Sequence, residues 1–133
     1  MSVSSPAPTA ARRLALPVVA DLVAIGVFVA IGRNNHDEAA SVSGFLSTLW
    51  PFVAGAAIGW AIAAAVARGR DLVPAALWPA GVIVWVSTVA CGMVLRVIAG
   101  QGTAASFIVV ATLATGLLLL GWRAVALLIA RRA

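Results

Sequence analysis

Four apolar stretches, each long enough to cross a lipid bilayer, make up most of this chain of 133 residues. A helix rises about 1.5 Å per residue, so roughly 20 apolar residues span a hydrocarbon core of about 30 Å. Because only helices and closed barrels satisfy their backbone hydrogen bonds in lipid, each stretch is predicted to be a transmembrane helix. The predicted helices cover residues 14–32, 45–67, 75–98 and 105–130.

The predicted fold is therefore all-α, an integral membrane four-helix bundle that occupies residues 14–130. Residues 1–13 are small, polar and proline-containing before they end in two arginines, which predicts a disordered cytoplasmic tail. In the whole chain 63% of the residues are hydrophobic and 10% are charged, which is too little charge to cover a soluble domain. The lipid bilayer is the predicted environment of most of the surface.

All nine basic residues are arginines, and the formal net charge is +5. In a soluble protein this balance would suggest nucleic-acid binding, but here the arginines cluster at predicted helix ends, where they anchor helices in a membrane. Nucleic acid is therefore not a predicted partner. The alanine-rich, lysine-free composition is typical of a high-GC bacterial genome, so the predicted location is the cytoplasmic membrane of a bacterium, crossed several times.

The arginines also predict the orientation of the chain. Arg33 lies on one side of the bundle, with Asp37 and Glu38. The arginines that flank the helices on the other side are Arg12, Arg13, Arg68, Arg70, Arg131 and Arg132. Because cytoplasmic loops carry the excess of arginine, both termini are predicted to be cytoplasmic, with the links 33–44 and 99–104 outside.

Asp21 and Arg123 are ionisable residues inside predicted helices. Asp21 follows Arg13 by eight residues, and Arg123 precedes Arg131 by eight, so each lies about 12 Å from the cytoplasmic interface. A charge at the bilayer centre costs roughly 2.5–3.5 kcal/mol, which favours a partner inside the bundle. The matching depth predicts an intramembrane ion pair. The alternative is that each charge reaches water separately.

Arg33, His36 and Arg96 are predicted to lie together at the outer edge of the bundle, since Arg33 ends the first helix and Arg96 nears the end of the third. Two guanidiniums and an imidazole at one level can hold an anion or a carboxylate, because arginine offers a rigid fork of donors. They form the candidate outer anion site. The alternatives are ordinary interfacial charges, or an Arg96 that pairs with Asp37 or Glu38.

Small residues mark two further features. Gly55 and Gly59 form a G-x-x-x-G face on the second helix, which permits close contact with another helix. This face is the predicted contact in a homo-oligomer or with a partner helix. On the third helix, Thr88, Gly92 and Arg96 form a stripe that is either a pathway or a tight helix–helix seam.

Pro51 leaves two alternatives for the start of the second helix. Either the helix begins near Thr48, whose side chain then caps it, or it begins earlier and Pro51 kinks it.

Catalytic and cofactor-binding patterns are missing from the sequence. It contains no Walker loop, dinucleotide fingerprint, histidine-rich metal cluster or nucleophile–base arrangement. Cys91 is alone and cannot form a disulfide within the chain. No catalytic residue, metal site or cofactor is therefore predicted, and the chain is not expected to be an enzyme.

The combination of motifs resembles the small prokaryotic membrane family known as domain of unknown function 3054. The resemblance spans about residues 17–124. It rests on Asp21, IGRNNH at 31–36, TLWPF at 48–52, Gly59, Trp60, Leu95, Arg96, FIVVATLATG at 107–116, Gly121, Trp122 and Arg123. The resemblance implies no activity, only that the family's typical positions include Asp21, Arg33, His36, Pro51, Arg96 and Arg123.

Two functions are compatible with these features. The first is a small transporter or channel for a small or anionic solute, built as a homo-oligomer because four short helices enclose little volume. The second is an accessory or assembly subunit that packs against a larger membrane complex. The sequence does not identify the solute or the partner.

Overall fold

A computed structural model gives the fold and describes residues 10–35, 42–68 and 72–132. Its long helices are α1 (Ala10–Asn35), α2 (Val42–Ala67), α3 (Val82–Ile98) and α4 (Ala105–Arg132), and a short kinked segment, Leu77–Gly81, leads into α3. With that segment included, each is long and apolar enough to cross a membrane. The predicted all-α four-helix membrane bundle is confirmed.

The helices begin at different residues than predicted. α1 starts at Ala10, so the last residues of the predicted disordered tail are helical, and the rest of that tail lies outside the described residues. α2 starts at Val42 and contains Pro51, so the alternative of a start near Thr48 is wrong. Regular α3 starts only at Val82, because Pro79 pushes Trp78 into extended backbone (φ −125°, ψ 135°).

The helices alternate in direction, which gives the bundle two ends. The link end contains the end of α1, the start of α2 and the connection between α3 and α4, and Arg33 there contacts Thr48. The terminal end contains Ala10, Arg132 and the segment before α3. Both chain termini of the described bundle therefore lie at one end.

The tightest seam joins α2 to α3. An added Cβ at Gly55 would lie 2.9 Å from the backbone oxygens of Ser87 and Thr88, and one at Gly59 would lie 2.9 Å from the Cα of Val84. Gly92 faces the same seam, where its Cβ would lie 3.0 Å from the Phe52 ring. Such spacing lets the two backbones approach closely.

This seam bears on two predictions. The Gly55–Gly59 face is buried against α3 of the same chain, so it is not open to a second copy or to a partner helix. Thr88 and Gly92 are also buried there, and Thr88 Oγ1 donates to the carbonyl of Val84 within its own helix. The part of the predicted pathway stripe formed by Thr88 and Gly92 is therefore a helix seam.

An aromatic cluster of Phe28, Phe52 and Phe107 fills the middle of the bundle toward the link end, with ring centroids 5.3–6.5 Å apart. Below it toward the terminal end, Ile25 and Leu119 are fully buried. The outward faces carry exposed apolar side chains along every helix, as a lipid-facing surface requires.

Candidate functional site

Asp21 and Arg123 meet inside the bundle, toward its terminal end. Arg123 Nη1 donates to Asp21 Oδ1 at 2.7 Å and Nη2 donates to Oδ2 at 2.9 Å. The side chain of Asp21 is 0% exposed and that of Arg123 is 1% exposed. The structure thus brings together the two residues that the sequence analysis pairs, in the two-pronged geometry that arginine forms with a carboxylate.

Arg123 is also held by backbone oxygens. Its Nε donates to the carbonyl of Pro74 at 3.0 Å, and Nη1 donates to the carbonyl of Leu119 at 3.0 Å. Through Pro74, the guanidinium fixes the segment that enters α3 to helix α4. Its position is therefore set by three parts of the chain.

Two tryptophans also donate hydrogen bonds to the carboxylate of Asp21. Trp60 Nε1 on α2 donates to Oδ2 at 3.0 Å, and Trp122 Nε1 on α4 donates to Oδ1 at 2.9 Å. Sequence reasoning missed both contacts. The available signal was that an indole N–H inside an apolar span needs an acceptor, and an aspartate at similar depth provides one.

This network leaves little room for a ligand. The cavity beside it, bordered by Pro17, Ala63 and Val84, measures about 20 Å³, which suits about one water molecule. In the described part of the chain, no buried side-chain nitrogen or oxygen lacks a hydrogen-bond partner. The arrangement is suited to joining helices rather than to binding a solute.

A far larger cavity, of about 570 Å³, opens at the link end. Its volume lies within the range of about 300–1,000 Å³ that is usual for small-molecule sites. All four helices and the connection between α3 and α4 line it. Among the residues that the structure describes, the polar side chains in its lining are Arg33, Ser47, Thr48, Arg96, Gln101 and Ser106.

Arg96 is held firmly in this lining. Its Nε and Nη2 donate to the carbonyl of Gly102 at 3.0 and 2.7 Å, and its Nη1 donates to Gln101 Oε1 at 2.8 Å. The guanidinium carbon lies 4.5 Å from the centroid of the Phe107 ring, which is a cation–π contact. These contacts fix the orientation of the guanidinium in the lining.

Pro51 explains a further contact in the wall. Because proline has no N–H, it cannot donate to the carbonyl four residues earlier, that of Ser47. Gln101 Nε2 donates to this oxygen instead, at 3.0 Å. Gln101 thus links α2 to Arg96, and nothing in the sequence pattern indicates this role.

The structure locates two of the three residues of the candidate outer anion site. Arg33 and Arg96 line the same cavity, and Arg33 Nη1 donates to Thr48 Oγ1 at 3.0 Å. His36, Asp37 and Glu38 lie outside the described residues. The site remains a prediction, and Thr48, Gln101 and Phe107 are lining residues that sequence reasoning did not include.

Comparison with known proteins gives a family but no activity. No curated protein and no solved structure is a match for this chain. The family described as a protein of unknown function, DUF3054, matches residues 18–126. That range covers Asp21, Arg33, Arg96 and Arg123, together with the described lining residues of the link-end cavity. The chain is a multi-pass membrane protein that belongs to the DUF3054 family.

Proposed function

We propose that this protein binds a small anionic solute in the link-end cavity, as the recognition step of its transport across the cytoplasmic membrane of a bacterium. The observation that carries the proposal is a ligand-sized cavity that has two arginines in its lining. Such a cavity suits an anion because a guanidinium grips a carboxylate or phosphate with paired donors, and low surrounding dielectric strengthens the contact.

The way Arg96 is held supports binding. A ligand that meets a side chain already fixed in place loses less conformational entropy than one that must order it. Arg96 is fixed by Gly102, Gln101 and the Phe107 ring. It therefore presents an oriented guanidinium to a solute that enters the cavity.

The packed core favours a carrier over a channel open within one copy. Between the cavity and Asp21, the described core is filled by the aromatic cluster and by Ile25 and Leu119. A bound solute can leave toward the other end only after helices move, or along a route between copies. The accessory-subunit alternative loses the contact face that the sequence predicts for it, because the Gly55–Gly59 face is buried against α3.

Anion binding tests the proposal directly. The purified protein, reconstituted in zwitterionic phosphatidylcholine nanodiscs, is expected to gain thermal stability with phosphate, sulfate or acetate at constant ionic strength. A ligand at 100 times its Kd stabilises by about 2.7 kcal/mol. Arg96→Gln and Arg33→Gln should each weaken binding by about tenfold or more, since each removes a charge-assisted contact worth about 1.5–3 kcal/mol.

Arg132→Gln is the matched control, because this exposed arginine lies at the terminal end. It should bind anions as the wild type does. Equal stabilisation of the wild type, Arg33→Gln and Arg96→Gln would place anion binding elsewhere. No response of the wild type to any of the three anions would contradict the proposed function.

The proposed orientation has the link end outside and both termini in the cytoplasm, from the excess of arginines at the terminal end. In a Cys91→Ala background, a cysteine introduced at Ser41 should react with an impermeant thiol reagent in intact cells, and one introduced at Gly69 should react only after lysis. The reverse labelling pattern would invert the orientation.

A further inference from the structure

We infer that the occupant of the link-end cavity is a single-chain anionic amphiphile, whose charged group meets Arg33 and Arg96 and whose apolar chain lies against Phe107 and Val110. This inference rests on the proposed function and names its substrate class. It is carried by the size of the cavity, the division of its lining and its position against the lipid-facing surface.

The cavity is too large for an inorganic anion alone. An oxyanion fills about two or three times the roughly 30 Å³ that one water molecule takes in the liquid, whereas the cavity measures about 570 Å³. Most of the space must therefore be occupied by another part of the ligand. A ligand with two long acyl chains would in turn exceed a site of this size, which suits a drug-sized molecule.

The lining separates into a charged rim and an apolar interior. On α1, Arg33 lies one helical turn beyond Val29, and both line the cavity. Phe28 and Phe107 belong to the aromatic cluster that closes the cavity toward the middle of the membrane. A ligand with its charge at the rim would thus place its apolar part against carbon atoms.

The apolar part of the cavity also borders the lipid-facing surface. Val110 lines the cavity and is nevertheless 56% exposed. Its neighbours on the outward face of α4, Val109 and Leu113, are exposed as well. An amphiphile dissolved in the adjacent leaflet can therefore approach with its chain in lipid and its head at the level of the arginines.

Gly32 gives a way to fill the apolar part without disturbing the fold. It lines the cavity, and an added Cβ there would have no atom within 4 Å. Gly32→Leu should therefore fold normally and occupy space that the chain of the ligand needs. Gly26→Leu is the matched control, since a Cβ at Gly26 also meets nothing within 4 Å and Gly26 is not part of the lining.

The test compares radiolabelled dodecyl phosphate with inorganic phosphate on the protein in phosphatidylcholine nanodiscs. Signal that remains in the Arg33→Gln, Arg96→Gln double variant is subtracted as partition into lipid. Dodecyl phosphate is expected to saturate at one per chain, with an affinity at least tenfold above that of phosphate. Gly32→Leu should abolish this difference by weakening dodecyl phosphate binding more than it weakens phosphate binding, while Gly26→Leu behaves as the wild type.

The other outcomes separate the inference from the proposed function. If phosphate binds as tightly as dodecyl phosphate, or if Gly32→Leu leaves both affinities unchanged, the amphiphile assignment is wrong and anion binding stands. If phosphatidylglycerol added to the nanodisc displaces dodecyl phosphate one for one, the occupant is a two-chain lipid and the single-chain assignment is wrong. If neither probe binds the wild type above the double variant, both the inference and the proposed function are wrong.

Discussion

Asp21→Asn and Arg123→Gln should each markedly lower the free energy of unfolding in detergent. Removing one partner of a buried ion pair costs about 3–5 kcal/mol in soluble proteins, because the other charge stays buried without compensation. Here Asp21→Asn leaves a guanidinium that is 1% exposed, and it replaces one of the two oxygens that accept from Trp60 and Trp122 by an amide donor. The loss should be smaller in a membrane protein, where tilt and water entry relieve a lone charge.

The double variant distinguishes a pair from two independent residues. Asp21→Asn with Arg123→Gln places two neutral amides where the charges were, so it should recover part of the two single losses. Chemical or thermal unfolding of all four proteins gives the coupling energy, which we expect to exceed about 1 kcal/mol. Arg131→Gln, at an exposed position of the same helix, is the control for loss of an arginine. Single losses that add within a few tenths of a kcal/mol would show that the pair is not coupled.

The helices were predictable because a membrane-spanning segment satisfies its own backbone hydrogen bonds. Length and apolar composition then suffice to find a span, whatever its neighbours are. The ends of the helices were less predictable, because a helix can continue into the polar residues outside the membrane without any change in the length of its apolar stretch. The start of regular α3 at Val82 was missed because the apolar pattern of the helix continues through Pro79. The effect of Pro79 on the backbone of Trp78 nevertheless follows from local sterics.

The Asp21–Arg123 contact was accessible to sequence reasoning because depth in the membrane is proportional to residue number along a helix. Two charges at equal depth inside a narrow bundle have few other partners. The contacts of Trp60 and Trp122 depend instead on how each helix is rotated about its axis. In an apolar sequence with weak amphipathicity, little in the pattern sets that rotation.

The link-end cavity likewise has features that the sequence predicts and features that it does not. The common level of Arg33 and Arg96 follows from helix length, and both residues line one cavity. The cavity itself arises from the lateral spacing of four helices, which a single sequence does not give. The bond from Gln101 to the carbonyl of Ser47 follows from the missing N–H of Pro51, but only after the two segments are known to be neighbours.

Gly55 and Gly59 show the same limit, because their spacing predicts a contact face without naming the helix that covers it. In the structure it is α3, so substitutions there should affect folding of the single chain. Gly55→Ala and Gly59→Ala each bring a methyl group to 2.9 Å from backbone atoms of α3. Overpacking of this kind costs about 1–3 kcal/mol, which should outweigh the gain of roughly 0.8–1.0 kcal/mol from replacing glycine by alanine in a helix.

The corresponding leucine variants should be worse, with little folded protein recovered, since neither backbone can retreat without opening the seam. Gly121→Ala is the matched control, because a Cβ there has no atom within 4 Å. It should match or slightly exceed the wild type in thermal unfolding. Crosslinking in membranes then separates the two uses of the face. If Gly55→Ala dissociates an oligomer while the monomer keeps its full stability, the face contacts a second copy, and the assignment of this seam to α3 is wrong.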